Sequence, residues 1–322
     1  MAKRGIIIAN TGSPAAPTPE AVRAYLRDFL SDPRICPINP ICWRFILNAC
    51  ILPRRSVASA KKYAWIWTPS GSPLSLIMDL LTTRLQDALA GEDVLVRSAM
   101  SYGEPSLEEV LTEMQAEGCE ELVVIPLYPQ GAFSTTKVVE DKVTAVLEKL
   151  AWNPQLEMIE DYCTSELYTN AIVRSIEAAG FIPEEDTLLL AFHSIPIKDI
   201  EAGDTYPDRV MESSKAIAEG VGARADAWRV GFQCRFDKSR KWIGPSTTQV
   251  IEELRDHEGR LFVVAPNFSI DCLETLYDIE VELKQAFFQH YPEARSDDLV
   301  YVPCLNDSDD QVTLLATLAH HN

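Results

Sequence analysis

The sequence predicts an α/β fold of two similar lobes, each a parallel β-sheet flanked by helices, with a cleft between them. Short apolar runs of strand length alternate with helical patterns along the 322 residues, and this alternation is typical of parallel sheets. Residues 105–126 also align without a gap on residues 245–266, sharing Pro, Ser, Val, Glu, a Val–Val pair and a closing Pro. Such a repeat indicates duplication of one unit.

A second internal match supports the two lobes. Residues 6–14, IIIANTGSP, resemble residues 188–196, LLLAFHSIP, which sets Thr11 opposite His193. Open α/β sheets bind ligands beyond the carboxyl ends of their strands, so we expect the cleft there. The predicted bounds are 1–155 for the first lobe, 156–305 for the second, and 306–322 for a C-terminal helix that we expect to pack back on the first lobe.

The composition and charge limit the classes of protein to which this chain can belong. A hydrophobic fraction of 47% suits one large α/β unit or two ordinary domains. No apolar run reaches the roughly 18 residues of a membrane span, and the apolar run near the start is too short for a signal peptide, so we expect a cytoplasmic protein. The net charge of −19 argues against a nucleic-acid partner. The negative net charge does not exclude a small anionic ligand, because a few local arginines suffice to bind one.

The cysteines predict neither a disulfide framework nor an iron–sulfur cluster. Eight are present, without a C-x-x-C pair and without regular spacing. In a long chain without a signal peptide, a disulfide framework is improbable. A cluster would need grouped cysteines, and buried free cysteine is the commoner fate.

The first lobe begins with a strand and turn at 5–14. A helix follows with Thr18 as N-cap and Pro19 at its first position. Further helices are predicted at about 75–89, 106–117 and 136–150, with strands near 94–100 and 122–127.

Residues 31–55 combine four prolines with nine large apolar side chains and end in Arg54 and Arg55. We call this segment the lip. It packs as an ordinary helix, or it forms an apolar edge over a ligand pocket or a lipid surface. The sequence leaves both alternatives open.

The second lobe repeats the alternation of strands and helices. Strands are predicted at 187–193, 228–236, 261–265 and from 299, and helices at 207–221, 247–259 and after 308.

An acidic row follows the strand at 261–265. Glu274, Asp278 and Glu282 stand at i, i+4 and i+8, so their carboxylates stack on one helix face, and Asp271 extends the row by one turn. Such a row can relay protons or guide a cation, whereas the alternative is a solvated helix face. A widened helical turn would help the carboxylates point the same way.

His193 is expected at the carboxyl end of its strand, in the same lobe as the acidic row. An imidazole beside a carboxylate suits base chemistry and the binding of Fe(II), Co(II) or Zn(II), and the alternative is a structural histidine.

The phosphate-binding motifs G-x-G-x-x-G and G-x-x-x-x-G-K-[ST] and the elbow G-x-S-x-G are absent. Aromatic residues near the strand ends either line a flat apolar ligand or belong to the core; they are Tyr102, Tyr128, Phe133, Tyr206, Trp242 and Phe268.

The motifs as a set resemble one family nearly from end to end. They are NTGSPAAPTPEAVRAYLRDFLSDPRI, KKYAWIWTPSGSPL, MSYGEPSLEEVL, IPLYPQGAFSTT, FHSIPIKDIEAGDTYP, FQCRFDKSRKWIGPST and NFSIDCLETLYDIEVE. The chain is similar to the ferrochelatases, class II chelatases with two Rossmann-like lobes around a cleft. The resemblance implies a lyase that inserts ferrous iron into a porphyrin at the end of haem synthesis.

The resemblance also implies roles for residues. His193 and Glu274 match the residues that bind iron and take up the pyrrole protons, and Asp278 and Glu282 match an acidic ladder to the surface. Iron and porphyrin are the expected substrates, with no tightly bound cofactor. The resemblance places the porphyrin against the 10–13 loop, the lip and single side chains, namely Thr11, Ser13, Arg34, Tyr102, Tyr128, Trp242 and Phe268.

The chain departs from the family pattern at several positions. Gly131 stands where a tyrosine is frequent, and Ser101 stands where an arginine commonly precedes the tyrosine matched by Tyr102. Cys272 takes a position that is histidine or cysteine in members of the family. The cysteine-rich extension that binds a [2Fe–2S] cluster in some members has no counterpart after Cys304, so we expect no such cluster.

The resemblance favours protoporphyrin IX as the substrate and leaves coproporphyrin III as the alternative. The coproporphyrin type often has a tyrosine at the position of Thr11, and an apolar lip that also suits peripheral membrane contact favours the less charged ring. Three other functions stay open: a cobalt or nickel chelatase, a non-catalytic tetrapyrrole-binding protein, and a two-lobed small-molecule binding protein. Neither the metal preference nor the oligomeric state follows from the sequence.

Overall fold

The computed structural model of this chain describes residues 3–36, 39–234, 240–254 and 259–320. The chain divides into two units, each built on its own parallel sheet. The first unit comprises Met1–Leu127, Phe133–Glu160 and Leu315–Asn322, and the second comprises Tyr128–Ala132 and Asp161–Leu314.

The sheet of the first unit is parallel throughout. Its strands are β1 (Lys3–Asn10), β2 (Val94–Met100), β3 (Cys119–Pro126) and β4 (Gln155–Met158), in the order β2-β1-β3-β4. The central strand β1 buries Ile6, Ile7 and Ile8 almost completely, as expected for a strand covered on both faces.

Helices surround this sheet in the first unit. They are α1 (Pro19–Ser31), α2 (Pro40–Ile46), α3 (Leu52–Ile66), α4 (Pro73–Ala88), α5 (Leu107–Ala116) and α6 (Thr136–Leu150). Helix α1 begins as predicted, with Pro19 in its first turn and the Thr18 hydroxyl accepting a hydrogen bond from the Ala21 amide at 3.3 Å. The chain beyond Leu315 belongs to the same unit, where Arg4 donates from Nη1 to the Ala319 carbonyl at 3.2 Å.

The sheet of the second unit has the same topology. Its strands are β5 (Thr187–His193), β6 (Trp228–Gln233), β7 (Leu261–Val264) and β8 (Leu299–Val302), in the order β6-β5-β7-β8. The helices of this unit are α7 (Glu166–Ala178), α8 (Ile197–Glu201), α9 (Tyr206–Gly220), α10 (Thr247–Glu253), α11 (Leu273–Leu276) and α12 (Lys284–His290), with α13 (Asp309–Leu318) ending in the first unit. The two parallel sheets flanked by helices confirm the predicted fold class.

The repeat is visible in local detail. Both α5 and α10 begin with a capping box, formed by Ser106 with Glu109 and by Ser246 with Gln249. Both follow a strand end in the same way, because the Met100 and Phe232 amides donate to the carbonyls of Pro105 and Pro245 at 2.7 and 2.8 Å. The repeat predicted over 245–266 includes residues 255–258, which lie outside the described residues.

Two predicted elements differ in extent, and some observed elements were not predicted. Helix α10 ends at Glu253, before the predicted end at 259, and the strand predicted to 236 ends at Gln233, with 235–239 outside the described residues. No element was predicted for the stretch that holds β4 and α7. Strand β4 has only four residues, none of them buried, so it shows no run of apolar side chains.

The lip is helical from Pro40 onward and forms a turn at 33–35, with residues 37 and 38 outside the described part. A π-helical segment, Leu47–Ile51, joins α2 to α3. Leu47 and Leu52 are fully buried, whereas Ile41 and Phe45 are 83% and 74% exposed. The segment therefore packs on the first unit by one face and presents large apolar side chains on another.

Candidate active site

The candidate site lies at the carboxyl ends of three neighbouring strands of the second sheet. His193 ends β5, Gln233 and Cys234 close β6, and the chain after β7 leads into α11. His193 and Gln233 are register partners on β5 and β6. Parallel pairing brings these strand ends to the same edge of the sheet, so the functional groups on them gather there.

His193 is a half-buried imidazole whose orientation is set by the backbone. Its Nδ1 lies 2.7 Å from the carbonyl oxygen of Ser194. A carbonyl can only accept, so Nδ1 carries the hydrogen and Nε2 keeps its lone pair in the neutral ring. The Tyr206 hydroxyl donates to the carbonyl of His193 at 2.9 Å, which holds the residue at the strand end.

Burial lowers the pKa of His193. The charge of Glu274 opposes that change, as do the hydrogen bond to Ser194 and the charge of Asp278. These electrostatic effects show that both carboxylates lie in the neighbourhood of the imidazole. The net direction favours a neutral ring that can accept a proton or bind a metal ion.

Glu274 stands half-buried on the short helix α11. The side-chain amide of Gln233 donates to the Glu274 carbonyl at 3.2 Å. Since Gln233 ends the strand beside β5, this bond ties the backbone of Glu274 to the strand next to His193.

The acidic row continues on a π-helical segment, Asp278–Leu283. The Glu282 amide lies 3.0 Å from the Tyr277 carbonyl, an i to i−5 bond, which confirms the predicted widened turn. Glu274 and Asp278 are half-buried and Glu282 is exposed. The row thus runs from the neighbourhood of His193 to solvent.

Cys234 contacts this row directly. Its thiol donates to Oδ2 of Asp278 at 3.2 Å, and its φ of 64° is left-handed. The sequence interpretation missed Gln233 and Cys234 as parts of the site, whereas it named Tyr206 among the aromatic residues near the strand ends. Their position directly after or near a strand end was the available signal.

Asp271 has a different environment from the other acids. It is 5% exposed, and its oxygens accept hydrogen bonds from side chains of Thr275, Tyr301 and Asn306. Donors from its own helix and from the end of β8 therefore surround this carboxylate.

Several of the predicted porphyrin contacts lie in the first unit, near the carboxyl ends of β1 and β2. Ser13 accepts a hydrogen bond from the Ser72 hydroxyl at 2.7 Å, and the Thr11 amide donates to the Asn10 side chain at 2.7 Å. Gly12 has a φ of +104°, and a Cβ there would lie 1.8 Å from the Tyr102 carbonyl oxygen. Glycine is therefore required where these two strand ends approach each other.

Arg34 and Tyr102 are both engaged within the first unit. Arg34 forms a two-pronged ion pair with Asp141, with Nη2 2.9 Å from Oδ1. Tyr102 is buried, and its hydroxyl donates to Asp32 at 2.9 Å. The Lys142 ammonium lies 4.2 Å from the centre of the Tyr102 ring.

The remaining predicted contacts belong to the second unit. Trp242 is buried, with the Arg240 guanidinium 4.8 Å from its ring centre, and Phe268 is half-buried against the core below β7. Tyr128 is half-buried on a loop anchored by Gln130, whose amide donates to the hydroxyls of Tyr168 and Ser213 at 3.2 and 3.0 Å.

A metal cage is not preformed. Within the described residues, no three His, Cys, Asp or Glu side chains are grouped closely enough to hold a metal ion. No saturated metal site is thus preformed around the predicted ligand pair, His193 and Glu274, in this part of the chain.

Comparisons with known proteins agree on one family. The ferrochelatase family model matches residues 3–322. A ferrochelatase of Thioalkalivibrio sulfidiphilus is 39% identical over 99% of this chain and 86% of its own length. The ferrochelatase of Xanthomonas axonopodis pv. citri is 38% identical over 98% of this chain and 96% of its own length.

Solved structures share the fold at low sequence identity. SirB from Bacillus subtilis, solved with Fe3+, has a TM-score of 0.58 at 13% identity and covers 98% of this chain and 93% of its own. CbiX, described as the terminal enzyme of sirohaem synthesis in denitrifying bacteria, has a TM-score of 0.50 at 14% identity, over 99% and 100% of the two chains. These likenesses concern the fold alone.

Proposed function

The chain belongs to the ferrochelatase family, and we propose that His193 and Glu274 form the centre at which it inserts ferrous iron into a porphyrin. The activity is that of a metal-insertion lyase in haem synthesis.

Metal insertion sets two chemical demands. The iron must lose water, and the two pyrrole N–H protons must leave the ring. A planar macrocycle also hides its nitrogen lone pairs, so binding energy that bends the ring lowers the barrier. The protein must therefore supply a base, a transient metal ligand and an exit for protons.

The tautomer of His193 is the observation that carries the assignment. Donation from Nδ1 to Ser194 leaves the Nε2 lone pair for a metal or a proton. Glu274 and Asp278 lie close enough for their charges to act on the ring. An imidazole beside carboxylates is a suitable base and suits a borderline metal such as Fe(II).

The open ligand pair fits a metal that passes through the site. Iron is a substrate here, and the porphyrin nitrogens must replace the protein ligands during the reaction. A cage of four side chains would hold the ion too firmly, whereas two ligands leave positions open. We expect no tightly bound cofactor.

The acidic row supplies a route for protons. The gradient from half-buried Glu274 and Asp278 to exposed Glu282 supports transfer outward.

The porphyrin is protoporphyrin IX in this proposal. Thr11 in place of the tyrosine of the coproporphyrin type supports this substrate, as do the exposed apolar side chains of the lip. The expected contacts remain Ser13, Arg34 and Tyr102 in the first unit, with Tyr128, Trp242 and Phe268 in the second.

The lip meets an anionic membrane surface in this proposal. Ile41 and Phe45 are exposed, and so is Trp65 at 59%. Residues 33–78 contain no acid although the whole chain carries −19. The basic residues of this stretch are Arg34, Arg44, Arg54, Arg55, Lys61 and Lys62.

Apolar side chains among cations are typical of surfaces that lie on anionic lipid. None of the described helices combines the length and apolar character needed to cross a bilayer. All eight cysteines are in the described ranges and form no disulfide, which supports a reducing, cytoplasmic location.

An anaerobic insertion assay tests the function. The protein is incubated with Fe(II) and either protoporphyrin IX or coproporphyrin III, and metallation is followed by absorbance. We expect many turnovers per protein with a higher kcat/KM for protoporphyrin IX. A spectral shift without turnover would make the chain a binding protein, and preference for coproporphyrin III would overturn the choice of substrate.

A further inference from the structure

A buried carboxylate lies three residues before Glu274. Oδ1 of Asp271 accepts from the Tyr301 hydroxyl at 2.5 Å and from the Thr275 hydroxyl at 2.9 Å. Its Oδ2 accepts from Nδ2 of Asn306 at 2.7 Å. Several good donors around a 5% exposed carboxylate stabilise its charge and fix its position.

Asn306 holds the same segment at three points. Its backbone amide donates to the Ser269 carbonyl at 2.9 Å, and its Oδ1 accepts from the Asp271 amide at 2.8 Å. The third bond is the one from Nδ2 to the Asp271 carboxylate. Asn306 has a φ of +52°, a conformation that asparagine tolerates better than most residues. The chain after β8 is thereby joined to the chain after β7.

These bonds continue into the helix that carries Glu274. The Thr275 hydroxyl accepts from the Cys272 amide at 2.9 Å while it donates to Asp271. Gln233 donates to the Glu274 carbonyl from the other side. The backbone of Glu274 is therefore held between the end of β6 and the end of β8.

We infer that Asp271, Tyr301 and Asn306 form a positioning network for Glu274, and that Asp271 acts through this network rather than as a member of the proton row. Glu274 lies in the first turn of this helical stretch, where the backbone amides have no partner within the helix and need other groups to hold them. Metal and proton transfer need groups held to about 0.5 Å. The network supplies that constraint from residues 30 and 35 positions away along the chain.

This inference rests on the proposed role of Glu274, and a double-mutant cycle tests the two separately. The four proteins are the parent, Asn306→Ala, Glu274→Gln and the double variant. For each, the rate of iron insertion is measured, and so is the dissociation constant of Co(II), a redox-stable stand-in for Fe(II). Coupling between the substitutions reports action through Glu274, since independent sites add.

We expect Asn306→Ala to weaken Co(II) binding and to slow insertion about ten- to hundredfold in the parent. In the Glu274→Gln background the same change should weaken Co(II) binding less than twofold. An equal loss in both backgrounds, or no loss in either, would overturn the positioning role. If Glu274→Gln alone behaved like the parent, the proposed metal centre itself would fail.

Tyr301→Phe repeats the cycle with a smaller change, in case Asn306→Ala does not fold. It removes one donor to Asp271, and we expect a weaker effect of the same coupled kind. Tyr291→Phe is the matched control, because the Tyr291 hydroxyl donates to the carbonyls of Ile251 and Leu254 at the end of α10. That control should leave Co(II) binding unchanged, and a loss as large as that of Tyr301→Phe would contradict the inference.

Discussion

The imidazole of His193 donates its Nδ1 hydrogen to the carbonyl oxygen of Ser194, the next residue in the chain, at 2.7 Å. Because this hydrogen bond joins the last side chain of β5 to the neighbouring backbone, the ring has little freedom to change tautomer. The consequence is a lone pair on Nε2, where iron insertion needs a base or a ligand.

The first prediction concerns that ring. His193→Ala should lower the rate of iron insertion about 10²–10⁴-fold, the usual contribution of a positioned acid or base. Absorbance of the metallated porphyrin measures the rate, and circular dichroism checks the fold. His290→Ala is the control, since His290 is an exposed histidine at the end of α12 in the same unit. Near-normal insertion by His193→Ala would exclude the assignment.

The second prediction orders the acidic row. Glu274→Gln should be about as damaging as His193→Ala, Asp278→Asn should be milder, and Glu282→Gln mildest. Glu274 and Asp278 are half-buried and Glu282 is exposed. Asp278 lies one turn further along the row than Glu274, and water can bypass a relay group more easily as it approaches solvent. Steady-state rates under iron saturation measure the order.

The control for this series is Glu280→Gln, on the same π-helical segment. Glu280 lies 3.7 Å from the Lys284 ammonium and is not part of the row. Equal rates for Glu274→Gln and Asp278→Asn would contradict separate roles for the two acids.

The sequence predicted the sheets and the strand-end histidine because both depend on local pattern. A buried strand is a run such as TLLLAFH in β5, and its last residue must stand at the carboxyl edge. The repeat then predicted the second sheet from the first. Strand β4 escaped prediction because its four residues, QLEM, include no buried side chain.

The hydrogen-bond partners of Asp271 could not be predicted from the spacing of residues in the sequence. Its spacing from Glu274 predicts a place in the acidic row, yet the groups that surround it include Tyr301 and Asn306 from the end of β8. Contacts of that sequence separation depend on tertiary pairing, which periodicity does not encode. Gln233 was missed for the same reason, since its partner is a carbonyl on α11.

The third prediction concerns the lip. The protein should bind vesicles that contain phosphatidylglycerol more tightly than vesicles of phosphatidylcholine alone, and salt should weaken this binding. Phe45→Asp should weaken this binding about tenfold or more, which is the effect of losing one aromatic side chain that inserts into the lipid. Vesicle co-sedimentation measures the affinity.

A matched control for the lip is Met211→Asp. Met211 is 50% exposed on α9 in the second unit, so the same chemical change is made on a different surface. Equal losses from the two variants, or equal binding to both kinds of vesicle, would contradict membrane contact through the lip.

The fourth prediction is a pH dependence of stability at Asp199, on α8. Burial raises the pKa of Asp199, and the neighbouring charge of Asp204 adds to this, while Arg240 opposes it. A raised pKa means that the folded protein disfavours the ionised carboxyl. This residue therefore costs no stability below the ordinary aspartate pKa of about 4, and destabilises the fold as the pH rises through the folded-state value.

Asp199→Asn should remove that cost without changing the size of the side chain. We expect its Tm to exceed that of the parent by roughly 1–3 °C near pH 7, and the difference should vanish as the pH falls toward about 4. Thermal melts across this range measure it, with Asp208→Asn, at an exposed position on α9, as the control. A variant that melted below the parent near pH 7, with this deficit shrinking as the pH falls, would mean that the ionised Asp199 stabilises the fold, because the sign of the linkage follows the direction of the pKa shift.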